Sequence, residues 1–441
     1  MAFSFRGGVY PELNKRITER KAIEAMPVPD KLYFPVSMHV GPPCTPVVAV
    51  GDYVRVGTVL ADGGAALSLP VHSSVSGVVS AIAPCDHPSG GRVMAVVVDN
   101  DYEDTLDDSV LPRDDREIDA LTPEQTVAII RAAGIAGLGG AAFPTFFKIK
   151  SGLGRVDRLI INACECEPYI TSDTRVALEY ADEVIGGAHL LKKIYGTKKV
   201  YIGIEANKEA AINHLRRHIL KEYDIKLKVL KTKYPQGSEK QLIKAVTGRE
   251  PPPGGLPADV KCAVFNIDTA AAIYRAVTGG MPLIRRIVTV SGSAVANPKN
   301  LEVRIGTPLR SVFDAAGGFR EQPIKILMGG PMMGIAQFSL DCPVIKSTNA
   351  LLAFSEEDYH PAPRRPACIH CGKCVRVCPV RLSPVFINRF ADNGLDQNCV
   401  DLNISDCIEC GACSFVCPAH IPLVQTFRLV KARLAAQNKK L

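Results

Sequence analysis

Eight cysteines near the C-terminal end of the chain stand in two copies of one spacing, Cys368-x-x-Cys371-x-x-Cys374-x-x-x-Cys378-Pro379 and Cys407-x-x-Cys410-x-x-Cys413-x-x-x-Cys417-Pro418. No other feature constrains the fold as tightly. Three thiolates two residues apart wrap one side of a cube of iron and sulfide. The fourth sits too far along to close the same cube and reaches its neighbour. The spacing therefore predicts two [4Fe–4S] clusters with crossed ligation: Cys368, Cys371, Cys374 and Cys417 on cluster one, and Cys407, Cys410, Cys413 and Cys378 on cluster two. Pro379 and Pro418 turn the chain away after the last ligand. Gly372 and Gly411 let the backbone approach the sulfides and donate N–H bonds to them. Zinc sites usually take four ligands in two pairs with a longer loop between the pairs, a pattern that two identical runs do not fit. Clusters of this kind pass one electron at a time, so the region reads as a wire with something at each end.

The runs CIHCGKCVRVCPV and CIECGACSFVCPA are also an internal repeat, as in a pseudo-symmetric two-cluster ferredoxin module. We place a helical domain of this type at 360–430, with PAPRRP (361–366) as the linker into it and a short amphipathic helix from Pro384 to Leu395. Cys399 lies outside both runs and reads as a buried thiol. Fifteen cysteines in a chain whose first residues lack the pattern of a signal peptide point to a reducing compartment, where clustered cysteines are metal ligands more often than disulfides. No stretch reaches about 18 uninterrupted apolar residues, so no transmembrane helix is expected and any membrane attachment goes through a partner. The 441 residues suffice for about two to four domains. The formal net charge of +7 comes from scattered basic residues without interleaved aromatics. A nucleic-acid groove is therefore not expected; the charge favours acidic partners, an anionic surface, or a plain solvated exterior.

Upstream the text changes character several times. Residues 1–30 read as an irregular N-terminal arm. Residues 31–100 hold Val-rich runs cut by Gly and Pro (PVVAVGDYVRVGTVLA, LPVHSSVSGVVSAI, RVMAVVVD), an all-β signature. They are similar to the barrel-sandwich fold of biotinyl and lipoyl carriers. Such carriers need a lysine in the central turn, which here reads Pro70-Val71-His72-Ser73-Ser74. A structural or docking unit is expected instead, with His72 packed in the turn. DNDYEDTLDD (99–108) reads as a solvated acidic linker. From Thr122 the chain is α/β. TPEQTVAIIRAAG has an N-cap Thr, Pro at the first helical position and Gly134 as its stop. RLIINA (158–163) and KVYIGI (199–204) are predicted strands, and ADEVIGGAHLLKKIYG and EAAINHLRRHIL predicted helices. The α/β domain is placed at 118–285 and a small β-rich domain at 286–350.

Two loops in the α/β part carry chemistry. Gly137-x-Gly139-x-x-Ala142 has the letters of a dinucleotide fingerprint, but that fingerprint follows a strand and opens a helix. Here a helix precedes it and Pro144 follows. Dense glycine still lets N–H groups approach an anion, with Lys148 beyond to meet a phosphate; a flexible hairpin is the plainer alternative. Strand RLIINA then runs into Asn162-Ala-Cys164-Glu165-Cys166-Glu167-Pro168. Acids and an amide at the C-terminal end of a strand sit where α/β sheets bind ligands, and could hold ribose hydroxyls or an adenine edge. Cys164 and Cys166 are poorly spaced for chelation and read as small buried residues.

The pair GLGGAAFPT and NACECEPYIT resembles the NADH-binding flavoprotein subunit of respiratory complex I. Over nearly the whole chain, FRGGVYPELNK, PVHSSVSG, YPQGSEKQLI, GREPPPGGLPAD, FNIDTA, GGPMMG and the two cluster runs resemble the C subunits of Rnf complexes, membrane-bound ferredoxin:NAD oxidoreductases that translocate ions. The resemblance implies a multidomain α/β and β chain: a barrel-sandwich domain, a complex I flavoprotein-like α/β domain, an SLBB-like β-grasp domain and the two-cluster domain. It implies FMN on the glycine loop, lined by Gly137, Gly139, Gly140 and Phe143, with Lys148 on the phosphate side. Asn162 and Glu165 match flavin-contacting positions, and Tyr234, Gly237 and Glu239 a second flavin and nicotinamide loop. Asn266 and Thr269 match a phosphate-contacting turn, and Glu167, with Phe143, a position near NAD(H). Leu138 and Cys164 depart from the Arg and Asp of the complex I relatives. The implied setting is peripheral, on the cytoplasmic side of the cell membrane. The implied partners are the other Rnf complex subunits, among them the ferredoxin-like, cluster-bearing B subunit and the integral-membrane subunits, with ferredoxin reached indirectly. A soluble relative serving a separate reductase and a flavin-free cluster relay are the alternatives.

Overall fold

The computed structural model describes residues 4–219, 223–358 and 367–437. The linker read at 361–366 lies outside them. Residues before the barrel are not an irregular arm throughout. After a single 3-10 turn at Lys15–Ile17, strand β1 (Ile23–Ala25) pairs in parallel with Lys299–Arg304, far along the chain. Three residues without alternation gave no sign of that strand; its partner supplies the edge it adds to.

Two small sheets form the barrel sandwich. β2 (Lys31–Pro35), β3 (Thr45–Pro46), β4 (Tyr53–Val54), β5 (Val59–Asp62), β6 (Val71–His72), β7 (Gly77–Asp86) and β8 (Arg92–Asn100) group as β2-β8-β7-β4 and β3-β5-β6. Apolar side chains of both inner faces fill the space between the sheets (Leu32, Phe34, Leu60, Val79, Val96, Val98). The turn at Val71–Ser74 is buried rather than presented. Ser74 Oγ donates to Ile305 O at 2.6 Å, and the Lys346 ammonium donates to Pro70 O at 2.7 Å and Gly134 O at 2.8 Å. Burial without a carboxylate partner pulls Lys346 down to about 7, and burial likewise pulls His72 down to about 3. The acidic stretch 99–108 is not a free linker. Asp99 and Asn100 close β8, Asp101 accepts from Ser76 Oγ (2.6 Å), Asp107 from Thr58 Oγ1 (2.6 Å), and Asp104 pairs with Arg304 (2.9 Å). Its acids find hydroxyls and the guanidinium groups of Arg304 and Arg55 on the surfaces it crosses.

The α/β part begins with α1 (Asp115–Ala120) and α2 (Pro123–Ala132), where Thr122 and Gln125 form a reciprocal capping box. Then come α3 (Thr145–Gly152), β9 (Arg158–Ala163), α4 (Ser172–Glu179), α5 (Ala181–Tyr195), β10 (Val200–Glu205), α6 (Glu209–His218), β11 (Ile225–Leu230), α7 (Glu239–Thr247), β12 (Cys262–Asn266) and α8 (Ile267–Gly279). The sheet is wholly parallel in the order β11-β10-β9-β12. From β9 the chain builds outward on one side through β10 and β11, then returns to the other side with β12. Crossovers leave a crevice at the C-terminal ends of such a β9–β12 pair.

A mixed six-stranded sheet follows, with β13 (Arg285–Ser291), β14 (Lys299–Arg304), α9 (Leu309–Ala315), β15 (Lys325–Met328), β16 (Ile335–Ala336) and β17 (Ala350–Phe354), in the order β1-β14-β13-β17-β15-β16. The sheet runs on to Phe354, past the expected edge at 350, because β17 lies between β13 and β15 and is buried along its whole length. One continuous apolar core passes through the barrel, the α/β domain and this sheet.

The cluster domain, α10 (Lys373–Val377), α11 (Pro384–Asp392), α12 (Asp396–Asp401), α13 (Ala412–Phe415) and α14 (Leu423–Ala436), has a core of its own around Ile387, Cys399, Ile404, Phe427 and Val430. The helix expected to reach Leu395 stops at Asp392, before a left-handed Gly394 (φ 71°).

Candidate flavin and cluster site

The glycine loop is a closed hairpin, not a loose one. Gly137 N donates to Phe143 O (2.8 Å) and Ala142 N to Gly137 O (3.1 Å). It is pinned from below at Leu138, whose N–H donates to Thr269 Oγ1 (2.9 Å) and whose carbonyl accepts from Arg286 Nη2 (2.9 Å). Arg286 is fully buried and pairs with Asp268 at 2.6 Å. Leu138 therefore serves through its backbone, and its apolar side chain is buried. Beyond the pin the loop is open: a Cβ at Gly139 would meet only the Asn266 side chain, at 3.4 Å, and one at Gly140 (φ 113°) would meet nothing within 4 Å. Pinned ends, a bare glycine face and no side chain in the way are what a flat, phosphate-bearing ligand requires.

Asn162 and Asn266 end the two strands that flank the crevice and face each other in register. Asn266 caps α8, its Oδ1 accepting from Asp268 N (2.9 Å) and Thr269 N (3.3 Å), while its Nδ2 donates to Asp173 (2.7 Å). Asn162 Nδ2 donates to Gly237 O at 2.7 Å, so the Tyr234–Gly237 turn is tied to β9. Lys148 of α3 pairs with Glu239 at the start of α7 and lies 5.5 Å from the Phe265 ring centre. Its ammonium has a carboxylate partner here rather than a free approach to phosphate. Phe143 packs edge-on to Phe147.

The acidic loop divides. Glu165, with left-handed backbone (φ 45°), turns inward. Its carboxylate accepts from Asp173 N (2.6 Å), Thr174 Oγ1 (2.5 Å) and Lys208 Nζ (2.8 Å). Burial opposes its ionisation, but Lys208 and Lys15 outweigh that and hold the carboxyl below its ordinary range. Lys15 is the keystone: its buried ammonium donates to the carbonyls of Glu165 (2.8 Å), Glu167 (2.7 Å) and Ile170 (2.5 Å). Burial, with the Lys208 charge second, pulls Lys15 down to about 8. Burial raises Asp173 and Glu205 beside this network to about 7. Glu167 points the other way. Its oxygens accept from Met332 N (3.1 Å) and Met333 N (3.0 Å) in the GGPMMG loop between β15 and β16, and burial raises it to about 7. A Cβ at Gly330 would collide with this carboxylate, so only glycine fits there. Cys164 is buried and Cys166 accepts from Gly237 N at 3.4 Å.

Gly137, Gly139, Gly140, Asn162, Gly237, Asn266 and Thr269 thus gather around one crevice. Lys148 and Glu239 pair with each other, Glu165 is held beneath, and Glu167 and Tyr234 face the cluster domain. Lys15, Lys208, Asp173, Arg286 and the contacts of the GGPMMG loop were not singled out from the sequence. Each acts on residues far along the chain, or through a backbone carbonyl, and leaves no local spacing to read.

Both cysteine runs take the same local form. His370 (φ 54°) and Glu409 (φ 55°) are left-handed and donate N–H bonds of 3.4 Å to Cys368 Sγ and Cys407 Sγ, and Gly372 and Gly411 start α10 and α13. Burial raises the Cys413 thiol, with Cys410, Cys407 and Cys378 adding to it; burial raises Cys374 likewise, with Cys368 and Cys417 adding. Thiols held protonated by burial and by one another become ligands when iron displaces their protons. Cys413 thus stands with Cys410, Cys407 and Cys378, and Cys374 with Cys368 and Cys417, and backbone N–H groups reach the sulfurs of Cys368, Cys378 and Cys407, the donor chemistry that a [4Fe–4S] cube takes.

Four known domain families match the chain in succession. Residues 3–103 match the RnfC barrel sandwich hybrid domain, 130–275 the Nuo51 FMN-binding domain, 287–336 the SLBB domain and 367–421 the 4Fe-4S dicluster domain. The C subunit of the Na+-translocating ferredoxin:NAD+ oxidoreductase complex of Acetobacterium woodii is 43% identical, over 99% of this chain and 98% of that one. The C subunit of the proton-translocating complex of Clostridium ljungdahlii is 42% identical over 100% and 96%. The C subunit of the ion-translocating oxidoreductase complex of Rhodobacter capsulatus is 41% identical over 100% and 85%.

This chain belongs to the family of C subunits of the ion-translocating oxidoreductase complexes.

As a member of that family it combines a barrel sandwich, an FMN-binding α/β domain, an SLBB domain and a domain for two [4Fe–4S] clusters. An NAD+-reducing [NiFe]-hydrogenase in the air-oxidized state, 18% identical, aligns with a TM-score of 0.52 over 72% of this chain and 66% of that one, and shows the fold alone. Among the described residues no helix is long and apolar enough to cross a membrane.

Proposed function

We propose that this chain is the NADH- and FMN-binding electron-transfer subunit of a membrane-bound complex that couples electron flow between ferredoxin and NAD to translocation of Na+ or H+. FMN, when bound, accepts a hydride from NADH and exchanges single electrons with the clusters. The chain's own part is to hold and orient. Gly137, Gly139 and Gly140 offer a bare backbone to the flavin and its phosphate, with Asn266 and Thr269 keeping that backbone in place. Asn162 and Gly237 bound the ring, Phe143 lies toward the nicotinamide, and Glu167 ties the acidic loop to the GGPMMG loop. Lys148 and Glu239 sit at the phosphate edge as a pair. Glu165, tied to Lys208, keeps the acidic loop in its shape.

The observation that carries this reading is one turn. Residues 234–237 bond to Asn162 at the crevice through Gly237 and to a cluster ligand through Tyr234, whose hydroxyl donates to Cys410 O at 2.6 Å. A flavin site and a one-electron wire that share a turn form a junction between two-electron and one-electron chemistry. The family relationship supports partners among the other members of the complex. We assign the chain to the cytoplasmic face as a peripheral subunit, beside the ferredoxin-like B subunit and the integral-membrane subunits, which would carry the ion path.

Anaerobic purification, reconstitution with iron, sulfide and FMN, and titration with NADH test the proposal. Flavin bleaching followed by EPR signals of reduced clusters is the expected result. Iron for two clusters with no flavin bound and no response to NADH would overturn it in favour of a cluster relay.

A further inference from the structure

The two cluster runs repeat each other in sequence but not in setting. Contacts between the cluster domain and the rest of the chain gather on the shell of cluster two. Besides the Tyr234 bond to Cys410 O, Gln241 Nε2 donates to Pro379 O (3.3 Å) and Gly8 N to Val377 O (2.7 Å), on either side of Cys378. Gly411 lies under the GGPMMG loop, a Cβ there being 2.7 Å from Met332 O. Cys410 and Ala412 are buried in one apolar group with Val9 and Tyr234, and Cys166 of the acidic loop packs against it. Cluster one has the opposite surroundings: Cys368, Ile369, His370 and Cys371 are all exposed, Ile369 to 66%.

We propose that cluster two is the inner cluster, next to the flavin, and cluster one the outer terminal, so that electrons from NADH reach cluster one only through cluster two, and electrons entering from a one-electron partner follow the reverse order. This rests on the proposed function. The balance is simple: NADH and two oxidised clusters give NAD+, one proton and two reduced clusters, both electrons arriving with the hydride and the proton passing to solvent. Tunnelling between carriers falls off steeply with distance and is better through bonds than through gaps. The path from Asn162 through Gly237 and Tyr234 to Cys410 is hydrogen-bonded and covalent throughout, and it ends on cluster two. Tyr234 is a positioning residue here: its hydroxyl fixes the carbonyl of a cluster ligand to the turn that borders the flavin.

The test uses the full reconstituted chain, rapid mixing with NADH, flavin absorbance and freeze-quench EPR, with Cys371→Ala and Cys413→Ala each removing a ligand of one cluster. In Cys371→Ala, NADH is expected to bleach the flavin and reduce cluster two, giving one uncoupled reduced-cluster signal. In Cys413→Ala, NADH is expected to bleach the flavin while the signal of cluster one is lost, although dithionite still reduces it. NADH reducing cluster one in Cys413→Ala as fast as in the parent chain would overturn the order, as would loss of cluster two reduction in Cys371→Ala. Should Cys413→Ala not load iron, the time course of the parent chain decides: reduction of cluster two, recognised by its signal in Cys371→Ala, before cluster one supports the order, and reduction of cluster one first overturns it. A parent chain whose flavin NADH fails to bleach refutes the proposed function itself, whereas a parent chain that bleaches and fills cluster one first refutes only the order.

Discussion

The runs 368–379 and 407–418 share spacing, N–H to sulfur bonds and left-handed turns, yet one lies open and the other is enclosed. Position for position the difference is small. Lys373 of the first run is exposed where Ala412 of the second is 1% exposed, and His370 is exposed where Glu409 is paired with Arg428 (2.9 Å) and Lys431 (2.9 Å). Spacing decides what each run holds; the residues between the ligands decide what it is packed against.

Making the runs alike where they differ should therefore separate them. The largest effect is expected from Ala412→Lys, which forces an ammonium into the group formed by Val9, Tyr234 and Cys410. An uncompensated buried charge costs about 3–5 kcal/mol, so the chain should lose iron from cluster two at markedly lower denaturant, read from cluster absorbance. A midpoint equal to that of the parent would mean the interface is not closed around Ala412.

Glu167→Gln probes the enclosed side through its titration. The carboxyl is raised from 4.5 to about 7, mainly by burial. A carboxyl raised on folding adds stability that is complete below its unfolded value and is lost as pH rises through its folded one. Stability should fall between about pH 4.5 and 7, with Glu167 contributing up to about 3 kcal/mol of the change. Asp173 and Glu205 are raised to about 7 as well, so Gln at 167 should flatten the slope without abolishing it. Denaturant midpoints measured across that range check this, and an unaltered slope would remove Glu167 from the account. The smallest effect is expected from Lys373→Ala in the open run, below about 0.5 kcal/mol as for exposed surface changes. A large loss there would show that cluster one is covered after all.

What could be read from the residues, and what could not, divides along the range of the interactions. The cysteine runs, the Thr122 cap, the strands that contain Asn162 and Val200, and the missing lysine at Pro70–Ser74 are local patterns, and each is present in the fold. Strand β1 was invisible because three residues, Ile-Glu-Ala, have no period of their own and exist as a strand only beside β14. The acids at 99–108 look like a solvated run until the partners of Asp101, Asp104 and Asp107 are known. At the site, the glycines and the amide were legible from composition and resemblance. That Glu165 would face Lys208 while Glu167 two residues on faces the GGPMMG loop follows from the left-handed turn at 165, which no spacing announces. Lys148, read as free for a phosphate, is paired with Glu239 from a helix about ninety residues later.

The ammonium of Lys346 holds together more than its own domain. In a carrier domain the barrel turn sends a lysine outward; here the turn receives one from another domain, along with the carbonyl of Gly134 from a third. One side chain thus acts as a rivet through three modules whose apolar cores are already continuous. The seams visible along the sequence are not lines of mechanical weakness: cutting between them would bare two buried carbonyls and strand Asp268 without Arg286. Four modules by sequence should melt as two bodies, the riveted trio together and the cluster domain, with its separate core, on its own.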